Sequence, residues 1–101
     1  MFRQILKALF RSPRKERKLV IKALLDMESL TAPQVCDRVK KQTGETIQIG
    51  AMYVILPELE KAGVLSAWFG TERTQARNGA RKRYYRIKDL EYARQIISDR
   101  D

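Results

Sequence analysis

The sequence predicts a mainly helical α+β domain: three core helices lead into a basic two-stranded hairpin, with a further helix at each end. Three observations carry that reading. Apolar residues recur at helical spacing through most of the first 62 positions and again over residues 89–98. Residues 64–87 switch to strand-like segments around a polar, glycine-containing stretch. The positive charge gathers in two places instead of spreading along the chain.

Residues 2–10 open as a short amphipathic helix. Phe2, Ile5, Leu6, Leu9 and Phe10 follow the i, i+3, i+4, i+7, i+8 pattern of one apolar face, with Arg3, Lys7 and Arg11 opposite. So short a helix is marginal alone in water, so this face has to pack on its own domain, a second subunit or a lipid surface. Ser12-Pro13 breaks the pattern and starts a second helix, with serine as cap and proline in the first helical position. It runs to about Met27 on a stripe of Leu19, Val20, Ala23, Leu24 and Met27, and Glu28-Ser29 ends it. Thr31 with Gln34 forms a capping box, and Leu30 with Val35 a hydrophobic staple. Pro33 sits in the first turn of that helix, Val35, Cys36 and Val39 point inward, and Gly44 stops it. Ile47-Gln48-Ile49 reads as a short strand. The next helix spans roughly 50–62, with Met52, Ile55, Leu56 and Leu59 as its core face and Gly63 as its stop. Pro57 inside it removes a hydrogen bond to the Tyr53 carbonyl and predicts a kink.

Val64–Phe69 and Ala80–Ile87 then read as two strands of one hairpin, with Asn78-Gly79 at a turn. Tyr85 and Ile87 alternate onto one face and Tyr84 and Arg86 onto the other. Of Trp68 and Phe69, one is expected in the core. The last helix spans about Asp89–Ser98, with Leu90, Ala93, Ile96 and Ile97 apolar. The domain plan is therefore an N-terminal basic helix over residues 1–12, a winged helix-turn-helix over 13–88, and a C-terminal helix over 89–101. In a winged helix-turn-helix the second core helix crosses phosphates, the third enters the major groove, and the hairpin, or wing, follows the backbone.

Composition bounds the function. The chain has 101 residues, a single domain's worth, with 21 Lys plus Arg, 12 Asp plus Glu, no histidine and one cysteine. Within one chain that excludes a disulfide framework, a Cys/His zinc site and histidine-based catalysis. No glycine-rich phosphate cradle is present, and the i, i+2 pair Glu58/Glu60 diverges on a helix. We therefore expect no enzyme, no cofactor and no metal. No apolar run approaches the ~20 residues of a membrane span. A charged start and a lone cysteine fit a cytoplasmic protein.

The net charge of +9 is concentrated. Arg3, Lys7, Arg11, Arg14, Lys15, Arg17 and Lys18 stand against Glu16 alone, and Arg73, Arg77, Arg81, Lys82, Arg83 and Arg86 against Glu72 alone. Two basic poles on a near-neutral body are the footprint of a polyanion binder.

The third core helix resembles a known pattern. Tyr53, Leu56, Leu59, Glu60 and Gly63 match the Tyr-x-x-Leu-x-x-Leu-Glu-x-x-Gly motif of the PadR family of bacterial transcriptional regulators. Residues 78–87, Asn-Gly-Ala-Arg-Lys-Arg-Tyr-Tyr-Arg-Ile, are similar to that family's Arg/Tyr-Tyr wing strand. The resemblance covers residues 19–98. It departs from the family at Ala32-Pro33-Gln34, where a Gly-Tyr usually stands, at Pro57, and at Lys88-Asp89-Leu90-Glu91. It implies a dimeric DNA-binding repressor, released in some members by a small ligand, with the C-terminal helix used for dimerisation.

The candidate double-stranded DNA contacts are Gln34, Arg38, Gln48, Tyr53, Arg73, Arg77, Arg81, Lys82, Arg83 and Arg86. Arginine forks match phosphate oxygens, glutamine can bond an adenine edge, and tyrosine a phosphate. Tyr53 reads equally as a half-buried core residue, and Gln34, Arg38 and Lys41 as a solvated face. Arg81 or Arg83 could instead pair with Glu58 or Glu60. The outer face of the third core helix, Gly50, Ala51, Val54 and Pro57, is poor in base readers, so phosphates and DNA shape are expected to dominate. Candidate homodimer contacts are Phe2, Leu6, Leu9, Phe10, Leu90 and Ile97. The leading expectation is a sequence-specific transcriptional regulator acting as a repressor. The alternatives are a winged-helix component of a phage, plasmid or replication assembly, and a membrane adaptor held by residues 2–10.

Overall fold

The computed structural model of the chain describes residues 10–73 and 81–99. In order these form helix α1 (Arg14–Ala23), α2 (Ala32–Thr43), α3 (Ile49–Lys61), strand β1 (Leu65–Arg73), strand β2 (Arg81–Ile87) and α4 (Leu90–Ser98). This is the α+β winged-helix plan expected from the sequence. The helix predicted over residues 2–10, with Phe2, Leu6 and Leu9, lies outside the described residues, as do Arg77 and the Asn78-Gly79 turn.

The core keeps most of each predicted stripe and adds Ile21 and Tyr92, while Leu19, Met27, Cys36, Leu90 and Ile97 are only partly buried at its edge. Val20, Ile21 and Leu24 meet Val35 and Val39 of α2 and Met52, Ile55, Leu56 and Leu59 of α3. Val64, Leu65, Tyr85 and Ile87 close it from the hairpin, and Tyr92, Ala93 and Ile96 from α4. Most of these side chains are fully buried, the condition under which apolar area contributes about 25 cal/mol per Å². α4 packs on α1 and so ties the C-terminal end of the domain back to its start.

Four local expectations are corrected. First, Ser12 does not cap α1. Pro13 holds the N-cap position, and the Ser12 hydroxyl donates to Glu58 instead. Second, α1 ends at Ala23. Residues 24–27 continue its apolar spacing as turns, in which Met27 N–H reaches the Leu24 carbonyl at 3.0 Å and Met27 takes a φ of 68°. A tight turn keeps a three-residue spacing, so the stripe could not mark the stop. Third, Ile47-Gln48-Ile49 is not a strand: Gln48 is the N-cap of α3 and Ile49 its first residue. The small strand that does join the sheet is Leu30, bridged to Tyr85 by N–H···O bonds of 2.9 and 2.8 Å. Fourth, both Trp68 and Phe69 are exposed, at 39% and 59%. The core-facing side of the hairpin ends at the Ala67–Tyr85 pair, and past it no core apolar side chain lies beneath the strands.

The turn chemistry was legible. Gln34 Oε1 accepts the Thr31 N–H at 2.9 Å, as a capping box requires. Gly44 ends α2 in the left-handed region at φ 76°. Pro57 lies on the exposed side of one continuous α3, where the Tyr53 carbonyl it leaves without an N–H can meet solvent.

Candidate nucleic-acid interface

Helix α3 divides cleanly. At about 100° per residue, Met52, Ile55, Leu56 and Leu59 fill one arc, and all four are buried. Ile49, Gly50, Tyr53, Val54, Pro57 and Lys61 share the opposite arc, and all are exposed. Tyr53 is 58% exposed, which decides between its two readings: it is a surface residue on α3. Gln48, also exposed, stands at the N-terminal end beside it.

Glu58 borders this face and Glu60 falls within its angular range, and both carboxylates are taken. Glu60 Oε1 and Oε2 accept from one Arg83 Nη2 at 3.2 and 3.0 Å. Glu58 holds the N-terminal segment: it accepts the Arg11 N–H at 2.9 Å, the Ser12 N–H at 3.2 Å and the Ser12 hydroxyl at 2.6 Å. Burial alone would raise the Glu58 carboxyl, but these bonds and the nearby Arg17 charge outweigh it, so its pKa lies below the ordinary value. Arg17 is itself buried, donates to the Ser12 carbonyl and lies 4.3 Å over the Phe10 ring. Phe10 therefore packs within its own domain.

The wing carries the second set of candidates. Arg81, Lys82 and Arg86 are exposed on β2. Arg83 differs: it is paired to Glu60 and lies 4.6 Å over the Phe69 ring. Burial lowers its pKa, but the bond to Glu60 more than compensates and raises it overall. On the other face of the hairpin Trp68 and Tyr84 stack with centroids 6.2 Å apart. Arg73 pairs with Arg81 in backbone register, and its side chain lies outside the described part.

On α2, Arg38 is engaged internally. Its guanidinium donates to the Ala23 carbonyl, to Asp26 and to Glu28, and the Glu28 bond raises its pKa. It thereby caps α1 and braces the turn through Met27. Gln34 and Lys41 are exposed, and both line a cleft of about 390 Å³ with Glu28, Leu30, Asp37 and Arg38. Cys36 is half-buried, and burial pushes its thiol up, which suits a packing role. Leu90 and Ile97 of α4 are partly buried against the domain's own core. No helix among the described residues is long and apolar enough to cross a membrane.

The latch between Glu58 and Ser12 was not foreseen; it joins residues 46 apart, and no local spacing marks such a pair. The Arg83–Glu60 pair is one of the pairings the sequence left open for Arg81 and Arg83, which share the face of Tyr85.

No protein-family model matches the chain, and no curated protein matches it. Solved structures do. A transcriptional regulator from Clostridium thermocellum is similar at 22% identity and a TM-score of 0.62, over 81% of this chain and 77% of that one. A PadR family transcription regulator from Clostridium difficile matches at 19% identity and a TM-score of 0.57, over 78% and 83%. The ORC1 protein of Aeropyrum pernix, solved in complex with DNA, matches at 16% identity and a TM-score of 0.66 over 95% of this chain, which spans 25% of that protein. These likenesses show the fold, a winged helix that a PadR family regulator shares.

Proposed function

We propose that this chain is a double-stranded DNA-binding transcriptional regulator, acting as a homodimeric repressor. One observation carries the reading: both acidic residues of α3, Glu58 and Glu60, are bonded within the domain, and an exposed basic strand adjoins the helix's outer arc. A polyanion approaching α3 meets no open carboxylate on that arc, and Arg81, Lys82 and Arg86 stand ready for phosphates. α3 would lie in the major groove, with Gln48 and Tyr53 near the bases and the wing on the backbone. Likeness to transcriptional regulators supports the class of function. Arg73, Arg77 and Gln34 belong to the same proposed contact set. Arg83 serves it indirectly, by neutralising Glu60.

The test is fluorescence anisotropy of the purified chain on its own upstream DNA and on random duplex, across a salt series. A tight, site-selective complex is expected, with a steep loss of affinity as salt rises. Absence of binding to either duplex at moderate salt overturns the proposal. A second reading has a specific observation behind it, the likeness to part of the ORC1 protein, solved in complex with DNA. It is an assembly component that grips DNA without regard to sequence, and equal, salt-fragile binding to both duplexes would favour it.

A further inference from the structure

The exposed arc of α3 is apolar where a base-reading helix usually presents amides and charges. Ile49 is 42% exposed and Val54 50%, Pro57 is exposed beside them, and Gly50 leaves a gap in the first turn. A Cβ built on Gly50 would meet nothing within 4 Å, so no internal packing requires glycine there. What the missing side chain provides is clearance on the outside of the helix. An exposed apolar strip of this kind has to be matched to an occupant. A purely apolar partner fits poorly, because cations surround it: Lys61 ends the same arc, Lys40 and Lys41 are exposed on α2, and Arg81, Lys82 and Arg86 on the wing. α3 packs against both α2 and β1, so these cations belong to elements at its sides.

One polyanion offers apolar groups in a groove lined by phosphates. It is duplex DNA, whose major groove displays the thymine 5-methyl as its one apolar group. We propose that α3 reads thymine methyls, through Ile49 and Val54, with Gly50 allowing the helix backbone to come close to the groove floor. The inference rests on the DNA-binding reading above and deepens it, naming thymine-rich major groove as the substrate. It also supplies what the poverty of hydrogen-bonding readers on α3 leaves open, a direct source of sequence preference.

The experiment uses the full chain and two duplexes of the same thymine-rich sequence, one with thymine and one with deoxyuridine throughout. Uracil keeps the charge and the hydrogen-bonding edge and lacks only the methyl. Binding to the uracil duplex is expected to be about three- to fivefold weaker per methyl contacted. A cytosine duplex should gain affinity when its cytosines carry a 5-methyl. The thymine preference should vanish in an Ile49→Ser/Val54→Ser variant and weaken in Gly50→Leu. These positions are exposed, and circular dichroism checks that each variant is folded. Equal binding of thymine and uracil duplexes, both with a steep salt dependence, overturns methyl reading and leaves the DNA-binding reading standing. No binding to any duplex overturns both.

Discussion

Glu58 shows how one side chain sets the geometry of a surface it does not enter. It accepts three hydrogen bonds from residues 11 and 12 and fixes the chain's approach to α1. Its pKa is lowered in the fold, from an ordinary value of 4.5. A lowered carboxylate contributes stability that is complete above its unfolded value and is lost as pH falls through the folded one. Glu58→Gln should therefore lower the melting temperature at neutral pH, by an amount set by about 1–2 kcal/mol of lost charge-assisted bonding. Melting curves recorded from neutral pH down to about pH 3 should show the two proteins converging below the ordinary glutamate range. A gap that stays constant with pH would remove the carboxylate from the latch. Arg38 gives a second residue-level contrast. Its three internal acceptors predict that Arg38→Ala lowers the melting temperature yet leaves the salt dependence of duplex binding unchanged. A slope reduced by about 1 would instead make it a phosphate contact.

At the scale of the element, the hairpin separates what a sequence pattern can report from what it cannot. Alternation placed Tyr85 and Ile87 inward correctly, because a layer lies beneath that part of the sheet. It failed for Trp68 and Phe69, because past Ala67 no apolar core layer covers the sheet, and hydrophobicity there no longer measures burial. The capping box at Thr31 and the stop at Gly44 were legible because each is local chemistry within four residues. The Leu30–Tyr85 bridge and the Glu58 latch were not, because they depend on how distant segments meet. The candidate site was legible as charge on the wing, whereas the internal pairing of Arg38, and the choice of Arg83 with Glu60 among the pairings left open, needed the fold. The outer face of the wing also offers a direct measurement. Gly70 lies under Tyr84, and a Cβ there would come within 2.7 Å of the ring. Gly70→Ala should push Tyr84 off Trp68, the sole tryptophan. A shifted emission spectrum with near-native melting is expected; an unchanged spectrum would mean that the stack does not persist in solution.

For the whole molecule, specificity turns on how much DNA one copy can read. A single winged helix presents one α3, and its reading face spans only a few base pairs. One face of that length, with few hydrogen-bonding readers, cannot supply the specificity ratio that a regulator needs against a genome of competing sites. A two-fold dimer doubles the contact and makes half-site spacing part of the code. Leu90 and Ile97 on α4 are only partly buried by their own domain, and they are the described residues we propose at that interface. Sedimentation of the protein on a short operator duplex should give two chains per duplex. Moving one half-site by half a helical turn should abolish tight binding, because it rotates the second α3 to the opposite side of the DNA. Leu90→Glu/Ile97→Glu should bind with single-copy stoichiometry and a salt slope about half that of the parent, since each copy brings its own phosphate contacts. One chain per duplex in the parent protein, insensitive to spacing, would remove the dimer. The basic wing would then be a non-specific clamp, as expected of a component in a larger DNA-bound assembly.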